Sequence, residues 1–263
     1  MRSIAIINQK GGSGKTTTTV NLAAALGERK RRVLIMDLDP QSAASLWLGI
    51  KNGGKGILQV FTEEGDLAHL VQDTGVPGVE IVASSQWLIG VEKALLGKPG
   101  GELVLQEKFR DYLQGNSWDY ILIDCSSSLG LLTINALAAA KEILITVEGQ
   151  VLALYGLAHL LQTVDTIRGR LNPGLKISGV LACRVNQRTR LALDVVEKIR
   201  EHCGKYLYKT IIRENISLAE APSFKLPVTQ YAPRSRGAED YRALAREVIR
   251  QEKRRVVYEK EKN

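Results

Sequence analysis

The chain of 263 residues carries 36 lysines and arginines against 28 acidic residues, a formal net charge of +8. Its 44% hydrophobic content is sufficient for a large core, which excludes disorder as the default state. No apolar run reaches the length of a membrane span, and the three cysteines are spaced too widely for a zinc site or a disulfide framework. We therefore expect a soluble cytoplasmic protein, and the basic balance suggests a polyanionic partner.

Strand-like and helix-like segments alternate from the N-terminus, which is typical of a parallel sheet with helices on both faces. Apolar runs predict strands at residues 4–8, 32–37, 79–83, 120–124, 142–147 and 177–183, and more weakly at 207–211. Helices are predicted from a glycine-rich turn to about residue 27, and at residues 102–113, 129–140, 154–170, 191–202 and 238–250.

The remaining segments complete the predicted organisation. Glycine- and lysine-rich stretches at residues 51–56 and 97–101 are interpreted as loops. The sequence predicts one α/β domain over residues 1–250, with a mostly parallel, twisted sheet of about seven to eight strands and helices on both faces. A charged tail is predicted at residues 251–263.

The loop after the first predicted strand has the composition of a phosphate-binding site. Glycines allow backbone N–H groups to close around a phosphate, and a helix that starts at Lys15 adds the partial positive charge of its N-terminus. Lys15 is expected to reach the β- and γ-phosphates, and the Thr16 hydroxyl to ligate Mg²⁺. This pattern predicts a P-loop for ATP, formed by Lys10, Gly11, Gly12, Ser13, Gly14, Lys15, Thr16 and Thr17.

This loop differs from the usual P-loop at its beginning. Gln9 stands at the first glycine position of the motif, and a second lysine, Lys10, lies inside the loop. A second cation at the transferring phosphoryl group stabilises charge as an arginine finger does. We expect Lys10 to reach phosphates across a dimer interface; the alternative is a surface lysine without a catalytic role.

Three carboxylates follow predicted strands. Asp124 ends the run at residues 120–124 and is expected to hold Mg²⁺ through water. Asp39 lies beyond the end of the second strand, where it is expected to position the attacking water, and Asp37 is expected near Mg²⁺ or in a structural role. A lone strand-end carboxylate often only caps the next helix, but three at neighbouring strand ends indicate a ligand site.

With these motifs in place, the chain resembles the ParA family of partition ATPases, within the ParA/MinD group of deviant P-loop ATPases, and in particular its small, Soj-like members. The resemblance extends from residue 4 to about residue 248. Its marks are the blocks at residues 9–23, 37–41, 120–130, 218–223 and 235–241. The last two blocks make the match specific to ParA.

The resemblance implies an ATP-driven switch. ATP joins two subunits into a homodimer, the dimer binds DNA non-specifically, and slow hydrolysis of ATP to ADP and phosphate releases it. A ParB-like or cargo-adaptor protein is expected to stimulate hydrolysis. The protein is expected to associate with the nucleoid and to position a plasmid, a chromosome locus or a protein assembly.

The resemblance also implies roles for single residues. Lys10 matches the signature lysine that acts in trans, and Lys15 and Thr16 match the phosphate and Mg²⁺ residues. Asp39 matches the residue that sets up the water, and Asp124 the second carboxylate of the Mg²⁺ site. These assignments agree with those made above from the residues alone.

The segment at residues 212–217 departs from the family pattern. Asn215 matches a base-contacting asparagine, and Arg213 replaces a base-contacting proline. Glu214 and Ser217 stand at positions where relatives carry basic residues that are expected to support DNA binding. DNA binding is therefore expected to be relocated or weakened. The substitute candidates are Arg184, Arg188, Arg190, Arg213, Arg234 and Arg236.

Two further segments differ from the family. Ser126 and Ser127 stand where relatives have two prolines, which predicts a more flexible switch loop. The Gln-x-Glu segment of the dimer-facing side reads Glu148-Gly149-Gln150 here.

Two other protein classes share this scaffold. A membrane-cycling regulator of MinD type ends in an amphipathic membrane helix, whereas residues 246–263 are densely charged with few apolar anchors, so membrane binding is not expected. An iron-protein reductase needs cysteines that share a cluster across the dimer, and Cys125 has no second cysteine at a suitable spacing.

Overall fold

The computed structural model describes residues 1–50, 56–62, 67–112, 118–150 and 152–260. Residues 51–55 of a predicted loop, residue 113 of a predicted helix and residues 261–263 of the predicted tail lie outside these ranges. Among the described helices, none combines the length and apolar character needed to cross a membrane.

Within the described residues, seven strands form one twisted sheet in the order β3-β4-β2-β5-β1-β6-β7. All neighbouring strands are parallel except β3 and β4, which are antiparallel. The strands are β1 (Arg2–Ile7), β2 (Val33–Asp37), β3 (Val71–Asp73), β4 (Val79–Val82), β5 (Tyr120–Asp124), β6 (Glu142–Glu148) and β7 (Lys176–Cys183). The predicted fold class is confirmed.

Helices cover both faces of this sheet. The α-helices of the described chain are α1 (Lys15–Gly27), α2 (Ala43–Trp47), α3 (Leu58–Phe61), α4 (Leu67–Leu70), α5 (Ile89–Leu95), α6 (Val104–Tyr112), α7 (Leu131–Ala139), α8 (Leu152–Arg170), α9 (Arg190–Cys203), α10 (Ile216–Glu220), α11 (Val228–Tyr231) and α12 (Arg236–Lys260). Side chains of α1, α2, α11 and α12 contribute to the core on one face, and those of α6 to α9 to the core on the other.

The central strand β1 explains why its sequence shows no alternation. Ile4 and Ile6 pack into the layer under α1 and α12, whereas Ala5 and Ile7 pack into the opposite layer. Successive strand residues point to opposite faces, and both faces are covered here, so both sets must be apolar. This arrangement places the glycine-rich loop that follows β1 at the middle of the sheet's carboxyl edge.

The structure corrects two predicted elements and adds a strand. Residues 207–211 form no strand; Leu207 makes an isolated bridge to Val180, and Arg213, just beyond this segment, makes another to Val185. Strand β3 was not predicted, because its three residues are largely exposed and form no apolar run. Helix α12 continues beyond residue 250 to Lys260, since residues 251–260 contain no glycine or proline to end it.

Candidate nucleotide-binding site

The loop between β1 and α1 is held in the shape of a phosphate cradle. Gly12 and Gly14 adopt positive φ angles of 75° and 88°, a conformation that side chains disfavour. The Asn8 side chain donates to the carbonyl of Thr146, and the Ser13 hydroxyl lies 3.3 Å from that of Thr146. The loop is thus anchored to β6 on one side, and its glycine backbone is exposed to a ligand.

Helix α1 begins at this loop, and no side chain caps its N-terminal N–H groups. Its N-cap residue is Gly14, and its first turn contains no acidic residue. The helix N-terminus therefore keeps its partial positive charge for an anion.

Lys15 is buried between the loop and the acidic residues. Its side chain donates to the carbonyl of Lys10 at 3.4 Å. Burial lowers the pKa of Lys15, and the carboxylates of Asp124 and Asp39 oppose that shift. A phosphate that enters the loop would supply a further charge partner for this ammonium group.

Asp124 ends β5 in a fully buried position. Oδ1 accepts a hydrogen bond from the Thr19 hydroxyl at 3.1 Å, but Oδ2 has no partner among the described residues. Burial and the nearby Asp37 carboxylate raise the pKa of Asp124, and hydrogen bonding from Thr16 opposes that shift. A buried carboxylate oxygen without a partner, beside a threonine hydroxyl, fits the oxygen ligands of a Mg²⁺ site.

Asp37 lies opposite Asp124 in the pairing of β2 with β5. Its carboxylate accepts bonds from the Ser45 backbone N–H at 2.9 Å, the Ser45 hydroxyl at 2.7 Å and the Asp39 N–H at 3.1 Å. Burial raises the pKa of Asp37. These bonds join the end of β2 to α2, so of the two expected roles the geometry favours the structural one.

Asp39 lies two residues beyond the end of β2 and is half-buried. Oδ1 accepts from the Gln41 N–H at 2.9 Å, and its backbone carbonyl accepts from the Ser84 hydroxyl at 2.5 Å. Its charge influences Lys15, so it lies within the electrostatic range of the phosphate site. The backbone of Asp39 is therefore fixed beside the phosphate site.

A cavity of about 370 Å³ adjoins the phosphate loop. Asn215, at the start of α10, lines it, and Asn215 Oδ1 is buried without a hydrogen-bond partner in the described chain. An amide oxygen in that state can accept the exocyclic amino group of adenine. Its other lining residues include Gly12, Gly14, Thr17, Arg213 and Tyr241.

Arg213 is engaged by acidic residues of α12. Its guanidinium forms an ion pair with Asp240 at 2.6 Å and a longer one with Glu239 at 3.4 Å. The Arg213 backbone N–H also donates to Asp240 Oδ2 at 2.9 Å, and these bonds raise the pKa of Arg213. The arginine thus ties the 212–215 segment to α12.

The other candidate arginines also lie at the carboxyl edge of the sheet, but their surroundings differ. Arg188 and Arg190 are exposed at and before the start of α9, and Arg234 and Arg236 are exposed at and before the start of α12. Arg184, by contrast, lies at the mouth of the phosphate loop, 3.0 Å from Glu148.

Lys10 also contacts Glu148. Its ammonium group donates to Glu148 and, at 2.8 Å, to the Gln150 side chain. The sequence did not predict that Glu148 joins two cations, although the altered Glu148-Gly149-Gln150 segment was a signal. It likewise gave no indication of the pairing of Asp240 with Arg213.

Comparison with known proteins agrees with this geometry. The AAA domain family matches residues 1–177. The chromosome-partitioning ATPase Soj of Thermus thermophilus is 41% identical over 249 residues, which cover 95% of this chain and 96% of the relative. The chain belongs to the ParA/Soj family of partition ATPases. The family resemblance seen in the sequence is thereby confirmed.

Solved structures extend the comparison. Cobyrinic acid a,c-diamide synthase from Mycobacterium smegmatis, with bound ADP and magnesium, is 30% identical with a TM-score of 0.82, covering 96% of each chain. The septum site-determining protein MinD of Pyrococcus horikoshii, complexed with Mg-ADP, is 28% identical with a TM-score of 0.77, covering 94% of this chain and 95% of MinD. These ligands agree with the prediction of ATP and Mg²⁺ for this ParA/Soj family member.

Proposed function

We propose that the protein is a slow ATPase that dimerises on ATP, binds DNA non-specifically in that state and positions a cargo on the nucleoid. The observation that carries this proposal is the phosphate loop with two lysines, Lys10 and Lys15, beside the buried Asp124, whose Oδ2 has no partner among the described residues. The family relationship to a chromosome-partitioning ATPase supports the same function.

The proposed hydrolysis divides among the residues of the site. Loop N–H groups and Lys15 hold the phosphates, and Thr16 and Asp124 hold Mg²⁺, with Asp37 fixing α2 beside them. Mg²⁺ supplies charge neutralisation on the phosphates when bound. Asp39 orients a water molecule for attack on the γ-phosphorus, and the bond to ADP breaks as the new P–O bond forms.

Lys10 accounts for dimer formation in this proposal. Its side chain is 46% exposed and lies on the same face as the phosphate loop, so a second subunit can approach it. An ammonium group inserted at the partner's phosphates joins the subunits only while the nucleotide is a triphosphate. Thr17, Asn215 and Arg213 hold the base and its surroundings within each subunit.

DNA binding is assigned to the exposed arginines beside this face. Arg188, Arg190, Arg234 and Arg236 are exposed and follow strand ends or precede helices at the ligand edge of the sheet. Phosphate contacts by such residues give sequence-independent affinity that falls steeply with salt. Dimerisation doubles the number of these arginines on one assembly, which couples DNA affinity to ATP.

A membrane-cycling function of MinD type is the alternative, and the MinD neighbour gives it some support. Helix α12, however, uses its apolar residues internally: Val248 is fully buried, and Ile249 packs against the same core. Burial there removes two of the few apolar side chains that could enter a bilayer. We therefore favour DNA as the matrix, with a ParB-like or cargo-adaptor protein as the stimulating partner.

The decisive experiment measures binding to random-sequence duplex DNA with ATP, ADP or no nucleotide across a salt series. We expect ATP-dependent binding that weakens steeply with salt. The double substitution Arg188→Ala and Arg190→Ala should reduce binding and flatten the salt slope, whereas Lys176→Ala, at the opposite end of β7, should leave both unchanged. Absence of DNA binding together with ATP-dependent binding to anionic liposomes would instead support the MinD-like function.

A further inference from the structure

Glu148, the last residue of β6, carries two cations on one carboxylate. Its side chain is 4% exposed. Oε2 accepts from the Lys10 ammonium group, and Oε1 accepts from Arg184 Nη1 at 3.0 Å. The acid is buried, whereas the side chains of Lys10 and Arg184 are 46% and 60% exposed. Both cations can therefore leave toward solvent or a ligand, but the carboxylate cannot.

The two cations are not equally mobile. Arg184 has a positive φ of 52°, and the next N–H, that of Val185, donates to the Ile212 carbonyl at 3.1 Å, which fixes the chain at this point. Lys10 lies on the phosphate loop and is exposed. We expect Lys10 to be the cation that moves, because the proposed trans role places it at the partner's phosphates, and Arg184 to stay, because its guanidinium also donates to the Gly12 carbonyl at 3.5 Å.

Electrostatics then gives Glu148 and Arg184 opposite effects on Lys10. Removing the sole counter-ion of a buried carboxylate is strongly unfavourable, because an uncompensated charge remains in the interior. Glu148 opposes the departure of Lys10 by attracting it, whereas Arg184 favours the departure by remaining as the counter-ion.

We propose that Glu148 and Arg184 form a charge latch on Lys10 that sets the ATP concentration at which the dimer forms. This inference rests on the proposed trans role of Lys10 and concerns how that role is regulated. Before dimerisation Glu148 holds Lys10 within its own subunit, away from any partner. When Lys10 moves to the partner's phosphates, Arg184 alone neutralises Glu148.

The latch is tested first in nucleotide-free protein, by measuring the rate at which a soluble acylating reagent modifies Lys10, read by mass spectrometry. Glu148→Gln should raise this rate by about fivefold or more, and Arg184→Met should lower it, because Glu148 then has Lys10 as its remaining cation. Lys176, exposed at the other end of the sheet, serves as the internal reference. Equal acylation rates of Lys10 in wild type and both variants would contradict the latch, whether or not ATP causes dimerisation.

The second measurement is light scattering of the ATP-dependent dimer without DNA, as a function of ATP concentration. Glu148→Gln should lower the ATP midpoint by about fivefold or more, Arg184→Met should raise it, and the double variant should behave like Glu148→Gln. Asp194→Asn and Lys198→Met, which change exposed charges on α9, should leave the midpoint unchanged. Binding of a fluorescent ATP analogue to the monomer checks that each variant remains folded.

The outcomes separate the latch from the proposed function. If Arg184→Met weakens dimerisation equally with and without Glu148→Gln, Arg184 contacts the nucleotide directly and the latch is wrong. Effects of the two single variants in the same direction also contradict it. A wild-type protein that binds ATP without dimerising would refute the proposed function, while the acylation rates would still decide whether Glu148 restrains Lys10.

Discussion

Asp124 keeps one carboxylate oxygen without a partner among the described residues, in a fully buried position. Such a group is unfavourable for the free energy of folding, since neither water nor a hydrogen-bond donor replaces its solvation. In the proposed site, Mg²⁺ would relieve this cost. The same buried oxygen that would bind a metal ion is therefore expected to lower the stability of the nucleotide-free protein.

We predict that Asp124→Asn stabilises the nucleotide-free protein and damages the metal site. Removing the buried charge should raise the unfolding free energy by about 1 kcal/mol, seen as a rise of roughly 2–4 °C in melting temperature at pH 7. The same variant should lose most of the Mg²⁺ dependence of ATP affinity. Asp194→Asn, on the exposed face of α9, is the matched control. A lower melting temperature without nucleotide would contradict this account.

Asp39 is predicted to act on the attacking water rather than on nucleotide affinity. Asp39→Ala should leave ATP binding within about twofold of wild type but slow turnover by about 100-fold, which traps the ATP dimer. Single-turnover hydrolysis and the lifetime of the dimer measure the two quantities. Rapid turnover in this variant would remove Asp39 from the water-positioning role.

Much of the site could be predicted at the residue scale, because the chemistry is local. The two lysines, the glycines and Thr16 lie within one loop and its helix, and their spacing alone indicates a phosphate cradle. The contacts of Glu148 could not be predicted. They join residues 138 and 36 positions apart, and only the fold brings those side chains together.

The same distinction between local patterns and long-range contacts holds for whole elements. Strand β5 was predicted to the residue, because a strand covered on both faces must be a continuous apolar run. The segment at residues 207–211 also has apolar residues, but it makes only an isolated bridge. There the Tyr208 ring packs closely over Gly179, so the side chain is buried without a ladder of backbone bonds. Apolar content therefore agrees with the burial of Tyr208 but predicted strand pairing incorrectly.

Helix α12 positions the segment that lines the proposed base pocket through a salt bridge, which gives an element-scale prediction. Asp240 holds Arg213, two residues before Asn215, by side-chain and backbone bonds. Asp240→Asn should loosen the 212–215 segment and weaken ATP affinity several-fold, with a loss of about 1–3 kcal/mol in unfolding free energy.

Glu239→Gln is the matched control for this prediction. Glu239 is the neighbouring acid, but its bond to Arg213 is longer and its side chain is 62% exposed, so a near-neutral effect is expected. Calorimetric titration with ATP and urea unfolding measure affinity and stability. Equal effects of the two substitutions would show that Asp240 does not position the segment.

At the scale of the whole molecule, the two ends of the sheet carry different sets of residues. The phosphate loop, the strand-end aspartates and the exposed arginines lie at the carboxyl edge. At the opposite edge, Arg2 bonds Glu142 through two nitrogens at 2.9 and 2.6 Å and donates to the Val248 carbonyl at 2.6 Å. It also donates to Gln251 at 2.8 Å. One buried arginine thus joins β1, β6 and α12 far from the nucleotide.

This division predicts that stability and switching can be separated by mutation. Arg2→Met breaks the ion pair between Arg2 and the buried Glu142, so the unfolding free energy should fall by about 3–5 kcal/mol in urea titrations. Below the unfolding transition, ATP affinity should stay within about twofold of wild type, because β1 carries the change only at its first residue. Lys176→Met, exposed at the same edge, should alter neither quantity. If Arg2→Met weakened ATP binding as strongly as stability, the two ends of the sheet would be coupled, and α12 would transmit the effect through Asp240 to the base pocket.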